Sequence, residues 1–418
     1  MKLLKESGRR APKVSLILLD WSVRESFHLL HYLAQQDVDR DLFEVVIVEY
    51  YSRISEALKP FEAQVDTWAL LEMPERCYYH KHLMYNAGLV LARGEICVVC
   101  DSDAMVKPGF IRTIIEAFER EPDLVLHLDQ FRNVRRDFYP FNYPSFTDVL
   151  GRGCINNVGG KTKGVLDLED PIHTRNYGAC MCARRADLIA IGGADEHIDY
   201  LGHICGPYDM TFRLVNSGLR EVWHQSEFMY HTWHPGQAGV DNYLGPHDGR
   251  HVSTTALQAL CSGRVLPYLE NAAIRALRTP GGESADLLAR LVDPMRTAVW
   301  TRDVVEDRRR LAAALKLNPK PVAYDGFSIE QCAPNRYVAR PAASGKPAVL
   351  DTWRREITAD SLEDAERQFA RQVPIGLKSA LAFARLYMAF GQVQHYLVQR
   401  VKRRSAQRRA DNMARQAS

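Results

Sequence analysis

The feature that most constrains this chain is an alternation of two hydrophobic periods in its first third. Short runs rich in Val, Ile and Leu (residues 14–19, 43–49, 67–71, 95–101 and 124–128) alternate with stretches of helical spacing (25–35, 80–92 and 110–120). Runs that are apolar on both faces read as strands of a sheet covered on both sides. Strands alternating with helices predict a mostly parallel sheet. In such sheets, ligands sit beyond the carboxyl ends of the strands, so polar residues at those ends carry the functional reading.

The sharpest of these ends is Asp101-Ser102-Asp103, which closes the run Glu95-Ile96-Cys97-Val98-Val99-Cys100. Two carboxylates at a sheet edge can face a divalent cation and the diphosphate it bridges, since hard cations take oxygen ligands. They can equally cap the turn before Pro108.

Further along, residues 131–176 are irregular and rich in Pro, Gly and aromatics, among them Phe138, Tyr139, Phe141, Tyr143 and Phe146. A long loop of this kind in a compact domain is commonly a binding element. Residues 177–183 read as a strand, 209–217 as a helix ended by Gly218, and 227–230 as a short strand. That strand leads into Tyr230-His231-Thr232-Trp233-His234-Pro235, where a His-x-x-His follows a strand end. From about residue 253 the pattern is mainly helical, with a Pro-flanked linker at 341–347.

Taken in order, Asp20, Glu49, Asn86-Ala87-Gly88 and Asp101-Ser102-Asp103 resemble the nucleotide-sugar half of family 2 glycosyltransferases of the GT-A fold. The segment Tyr177–Arg185, then Gly192-Gly193-Ala194-Asp195-Glu196, is similar to the part of that family that shapes the acceptor side. Asp209 stands at the start of a helix, as the family's catalytic Asp does, although Tyr208 replaces the usual Glu. The resemblance covers about residues 14–236. It implies a Rossmann-like GT-A domain with a mostly parallel mixed sheet over 1–251, followed by a mainly α-helical region over 252–418.

The resemblance further implies an inverting transfer of a sugar from a nucleoside diphosphate donor, UDP-linked by default, to a hydroxyl of a glycan or lipid-linked acceptor, as in polysaccharide biosynthesis. Asp209 is the implied base. Asp103 and His231 are the implied ligands of Mn²⁺ or Mg²⁺, with a lone His ligand favouring Mn²⁺. Asp20, Glu49, Asn86, Asp101, Ser102 and His234 are the implied donor contacts. Two competitors stand beside this. A non-catalytic carbohydrate-binding scaffold is suggested by Tyr208, and a sugar nucleotidyltransferase by the sheet and metal alone. The latter needs a Gly-rich loop after the first strand, which Asp20-Trp21-Ser22-Val23-Arg24 lacks.

Charge excludes one class. The 418 residues carry 54 Lys and Arg against 51 Asp and Glu, a net charge of +3 that is too balanced for a nucleic-acid coat. Seven of those bases and one acid fall in residues 399–418, so the tail is strongly basic and the remainder slightly acidic. That tail reads as a solvated helix end or as a contact with an anionic membrane. Nine cysteines, several inside apolar runs, and a charged start (residues 1–10) without an apolar core point to a reduced, cytoplasmic setting, extending to the inner face of the membrane. Residues 242–251, including Arg250 and His251, read as a lid over a diphosphate or as a plain connector.

Overall fold

The structure is a computed structural model that describes residues 1–6, 11–162, 176–202, 207–235, 254–281, 286–304, 322–324, 327–333, 336–341, 355–359 and 365. Strands β1 (Lys2–Lys5), β2 (Val14–Asp20), β3 (Phe43–Tyr51), β4 (Thr67–Met73), β5 (Ile96–Cys100), β6 (Leu124–His127) and β7 (Gln130–Asn133) come first. They are followed by β8 (Asn157–Val158), β9 (Lys161–Thr162), β10 (Cys180–Arg184), β11 (Arg220–Trp223) and β12 (Met229–Thr232). The helices among and after them are α1 (Leu29–Leu33), α2 (Lys81–Leu91), α3 (Phe110–Arg120), α4 (Phe146–Leu150), α5 (Arg185–Ala190), α6 (Tyr208–Asn216), α7 (Thr254–Ser262), α8 (Ala272–Arg278), α9 (Leu287–Leu291) and α10 (Pro294–Thr297).

The expected mixed, mostly parallel sheet is present, in the order β1-β4-β3-β2-β5-β10-β6-β11. Its centre, β4-β3-β2-β5, is parallel throughout, and β10 runs antiparallel between β5 and β6. Every residue of β2 is buried, as is every residue of β5, because helices cover both faces. Separate clusters of buried side chains lie on the two faces. Gly88 explains the small residue in the middle of α2. A Cβ there would lie 2.3 Å from Ile17 Cγ2, so only glycine lets the helix seat on β2.

The register carries the acids to one edge. Asp20 pairs across from Glu49, and Asp101 follows directly after β5. Two departures from the sequence reading matter here. The helix expected over 25–35 shortens to α1, because residues 21–26 form a turn capped by Asp20, whose Oδ1 accepts from the N–H groups of Val23 and Arg24 (both 3.1 Å). The aromatic segment is not featureless. It contains α4, opened by a capping box between Ser145 and Asp148.

The compact unit built on this sheet comprises Met1–Leu168 and His173–Asn318, so it runs past the boundary at 251 read from the sequence. A second unit, Glu169–Ile172 with Pro319–Ser418, contains an antiparallel sheet of β13 (Val322–Tyr324), β14 (Phe327–Ala333), β15 (Arg336–Pro341) and β16 (Arg355–Thr358). The reading of residues 252–418 as mainly helical omits these strands. Their period-2 pattern is short and interrupted, which leaves it weak beside the helical spacing around it. The basic tail, the 242–251 segment and residues 163–175 lie outside the described residues. Among the described residues, no helix is long and apolar enough to cross a membrane.

Candidate active site

The site is assembled by a β-bridge that sequence does not announce. Met105, just beyond the acidic turn, pairs with Tyr230 through both backbone N–H groups (2.8 and 2.9 Å). This sets β12 against the end of β5 and carries its two histidines to Asp103. His231 Nε2 lies 3.7 Å from Asp103 Oδ1, and His234 Nε2 lies 3.4 Å from Oδ2. One ligand atom from each of the three residues falls within 4.8 Å of the others. Asp103 Oδ1 is buried and accepts no hydrogen bond. An anionic oxygen left bare beside two imidazoles is the arrangement a divalent cation completes, so the residues fit such an ion.

Cations surround the carboxylate pair. Arg24 Nη1 donates to Asp103 Oδ2 at 2.5 Å, and Nη2 lies 3.6 Å from Asp101 Oδ1. Lys81 opens α2, is buried, and places its Nζ 4.8 Å from the centre of the Trp21 ring. Arg132 is carried in by β7, where it pairs with His231 of β12. The carboxyls respond in opposite directions. Burial raises Asp101, and neighbouring Asp103 adds to this against the pull of Arg24 and Lys81. Burial also acts on Asp103, but Arg24, His231 and His234 together outweigh it and hold that carboxyl far below the usual range. Burial brings His231 down to about 3 and His28 to about 4, so both imidazoles are neutral at pH 7, the form that binds metals. Burial, with Arg24 adding, lowers Lys81 to about 8 despite the attraction of Asp101 and Asp103.

Arg24, His28, Lys81 and Arg132 were not singled out from the sequence. Arg24 follows the capped turn after β2, and His28 stacks on Phe141 of the aromatic segment with ring centres 3.5 Å apart. Only their convergence on Asp103 marks them. Beside them a cavity of about 290 Å³ opens at the carboxyl ends of β2 and β3, lined by Trp21, Tyr51, Tyr78 and Tyr79 with Arg53 and Arg302. Trp21 and Tyr79 are stacked at 4.6 Å, and the Trp21 ring that lines this cavity also has Arg24 and Lys81 at 5.4 and 4.8 Å from its centre.

Other expected residues are placed differently. Glu49 is 1% exposed, and both of its oxygens are taken, by Trp68 Nε1 (2.7 Å) and by the Ser55 N–H (3.0 Å). Burial raises its carboxyl to about 7 despite those bonds. Each oxygen thus serves the protein, holding Ser55 and Trp68 beside the end of β3. Asn86 is also committed to the protein. Its amide donates to Ala194 O and Glu196 Oε1 (both 2.9 Å) and accepts from the Ala194 N–H (2.8 Å). It therefore clamps the Gly192–Glu196 loop, and its reading as a donor contact is corrected. Ser102 is buried, its hydroxyl has no partner, and its carbonyl accepts from the Leu29 N–H at the start of α1.

Asp209 requires the largest correction. It is fully buried at the first turn of α6. Arg213 one turn later grips Oδ2 through Nε (2.8 Å) and Nη2 (2.6 Å), and Tyr200 donates to Oδ1 (2.8 Å). Burial would raise this carboxyl, but Arg213 overrides it and the net shift is downward. A carboxylate with its lone pairs occupied and its basicity reduced is poorly suited to take a proton from an acceptor. Arg213 also donates to the carbonyls of Ile191 (2.7 Å) and Gly193 (2.5 Å), so the pair anchors the same loop that Asn86 clamps. Asp195 and Glu196 in that loop bind residues 264–296. Asp195 accepts from the Tyr268 and Leu269 N–H groups, and Glu196 from Asn271 and Arg296. The acids that sequence assigned to the acceptor side thus fasten α8 and α10 to the sheet.

A sheet whose carboxyl edge carries an Asp/His cluster, a ring of cations and an aromatic cavity is organised to hold a ligand that is part anionic and part planar. Residues 28–189 match the family model described as Glycosyl transferase family 2. Over that stretch the chain is similar to the family. Among solved structures it is similar to S. aureus TarS 1-349 in complex with UDP-GlcNAc, at 15% identity over 79% of this chain and 99% of that one, TM-score 0.41. It is also similar to the mannosyltransferase PcManGT from Pyrobaculum calidifontis in complex with GDP-Man and Mn²⁺, at 17% identity over 76% and 78% of the two chains, TM-score 0.36. No curated protein matches the sequence.

Proposed function

We propose that this protein is a glycosyltransferase that moves a sugar, with inversion, from a nucleoside diphosphate donor to a hydroxyl of a glycan or lipid-linked acceptor, and that Asp103, His231 and His234 hold a divalent cation during the transfer. The observation that carries this is the bare, buried Oδ1 of Asp103 beside the imidazoles of His231 and His234, which arrive from a different part of the chain. Two nitrogens and a carboxylate suit Mn²⁺ better than Mg²⁺. When bound, the ion supplies positive charge next to the departing diphosphate.

The chain's own groups do the rest. The aromatic cavity at Trp21 and Tyr79 receives the nucleoside, and UDP is the default by family resemblance. Arg24, Lys81 and Arg132 face the diphosphate and stabilise its charge as the bond from the anomeric carbon to the phosphate oxygen breaks, with the electron pair leaving on that oxygen. The acceptor oxygen attacks the anomeric carbon from the face opposite the leaving diphosphate, which inverts the centre, and its proton passes to solvent water as the glycosidic bond forms. Exposed Tyr139 lies edge-on at 5.8 Å to Trp233, the residue before His234, and offers a surface on which an acceptor sugar can stack.

The test is release of nucleoside diphosphate from a panel of nucleotide sugars with Mn²⁺. Release should fall by 100-fold or more in Asp103→Ala. Release undiminished in that variant refutes the metal assignment, and pyrophosphate formed from a nucleoside triphosphate and a sugar phosphate would show a nucleotidyltransferase instead.

A further inference from the structure

Arg24 occupies a place where two cations compete. Its guanidinium spans the acidic pair, 2.5 Å from Asp103 Oδ2 and 3.6 Å from Asp101 Oδ1. The same Oδ2 is the oxygen nearest His234, at 3.4 Å. A divalent ion held by Asp103 and His234 would therefore share a carboxylate oxygen with a guanidinium, and like charges at that separation repel strongly where water is excluded. Arg24 is not fully satisfied where it lies, because its buried Nε has no hydrogen-bond partner. It also hangs from the turn over residues 21–26, with its own N–H held by Asp20, and its guanidinium lies against the face of Trp21 at 5.4 Å. That ring lines the aromatic cavity, so a small swing of the side chain along it leads from the carboxylates toward a ligand seated there.

We propose that Arg24 is a displaceable counter-cation, which closes on Asp103 in the free enzyme and transfers its fork to the donor's diphosphate when donor and divalent ion bind. The inference rests on the cation and donor reading above. A planar guanidinium binds phosphate oxygens through two parallel N–H bonds, so the move replaces one good and one long carboxylate contact by a bidentate one. Arg24 thereby opposes the ion when no donor is present and assists leaving-group departure when one is. The free ion is held weakly, and the loaded site is reached through the nucleotide.

The test is Mn²⁺ binding without turnover, followed by electron paramagnetic resonance of free Mn²⁺, on wild type, Arg24→Gln, Arg24→Lys and Asp103→Ala. Without nucleotide, Arg24→Gln should bind Mn²⁺ about tenfold more tightly than wild type, and Arg24→Lys should fall between them. With UDP or GDP the order should reverse for the nucleotide. Arg24→Gln should bind the diphosphate at least tenfold more weakly while binding the free nucleoside as wild type does. Equal or weaker Mn²⁺ affinity in Arg24→Gln overturns the inference. If that variant does not fold, equal affinity in Arg24→Lys and wild type overturns it. Mn²⁺ binding that Asp103→Ala leaves intact, or none in any variant, refutes the underlying metal reading instead.

Discussion

Replacing Asp209 by Asn separates two roles that sequence cannot distinguish. As a base, Asp209 should be dispensable for folding, and its loss should cost a factor of about 10²–10⁴ in rate, the usual contribution of a positioned proton acceptor. As an anchor, its loss should be felt first in stability. The side chains of Asp209 and Arg213 are both sealed from solvent, and the guanidinium makes two of its bonds to Oδ2. Asn is nearly isosteric but carries no charge, and one of its two terminal groups is a donor facing a donor. Removing one member of a buried pair costs about 3–5 kcal/mol, because the remaining charge is left uncompensated. With a urea slope of about 3 kcal/mol/M for a unit of this size, the midpoint should drop by roughly 1–1.7 M. Adding Arg213→Met should recover part of that loss but not all of it, since the Ile191 and Gly193 carbonyls lose their donor. The assay is urea denaturation followed by tryptophan fluorescence, with nucleoside diphosphate release measured on the same samples. An Asp209→Asn protein that unfolds at the wild-type midpoint yet loses transfer 100-fold would refute the anchor and restore the base.

Two further outcomes follow from the same geometry. Gly193 has φ +68° and an added Cβ would lie 2.4 Å from Asn86 Oδ1, so Gly193→Ala should lower stability by about 1–3 kcal/mol, read as a urea midpoint, while Gly218→Ala, with positive φ but open space, should cost less. Glu49 carries a pH signature. Burial raises its carboxyl from 4.5 to about 7, so the folded state holds the proton more tightly than the unfolded chain does. Its contribution is therefore present below about pH 4.5 and lost as pH rises toward 7, on the order of 3 kcal/mol over that window. Urea midpoints measured from pH 5 to 8 should show a decline that flattens in Glu49→Gln; an unchanged profile would contradict the assignment.

Much of the fold was legible because it rests on period and polarity. Runs such as Val14–Asp20 and Ile96–Cys100 are buried along their whole length, which only strands of a covered sheet require, and the acids at their ends had to emerge at one edge. The resemblance to family 2 glycosyltransferases, rather than periodicity, implied Asp103 and His231 as partners, and the fold brings them to 3.7 Å. The sequence reading could not see Arg24, Lys81 or Arg132, because a cation near a carboxylate leaves no trace in periodicity. Nor could it divide the acids into those that face a ligand and those that hold the protein. Asp103 and Asp209 are both strand- or helix-end aspartates, and the difference lies in what surrounds each. Asp103 keeps an oxygen bare beside two imidazoles, whereas Asp209 is enclosed by Arg213 and Tyr200. Residues 264–296 show the same limit, for their helical pattern did not reveal that Asp195 and Glu196 fasten them to the catalytic sheet. The sequence by itself determined the layers and the edge at which chemistry gathers, because burial acts on each residue through its own polarity. Tertiary structure alone decided which of the gathered charges are free to act, because that depends on which opposite charge arrives from a distant part of the chain.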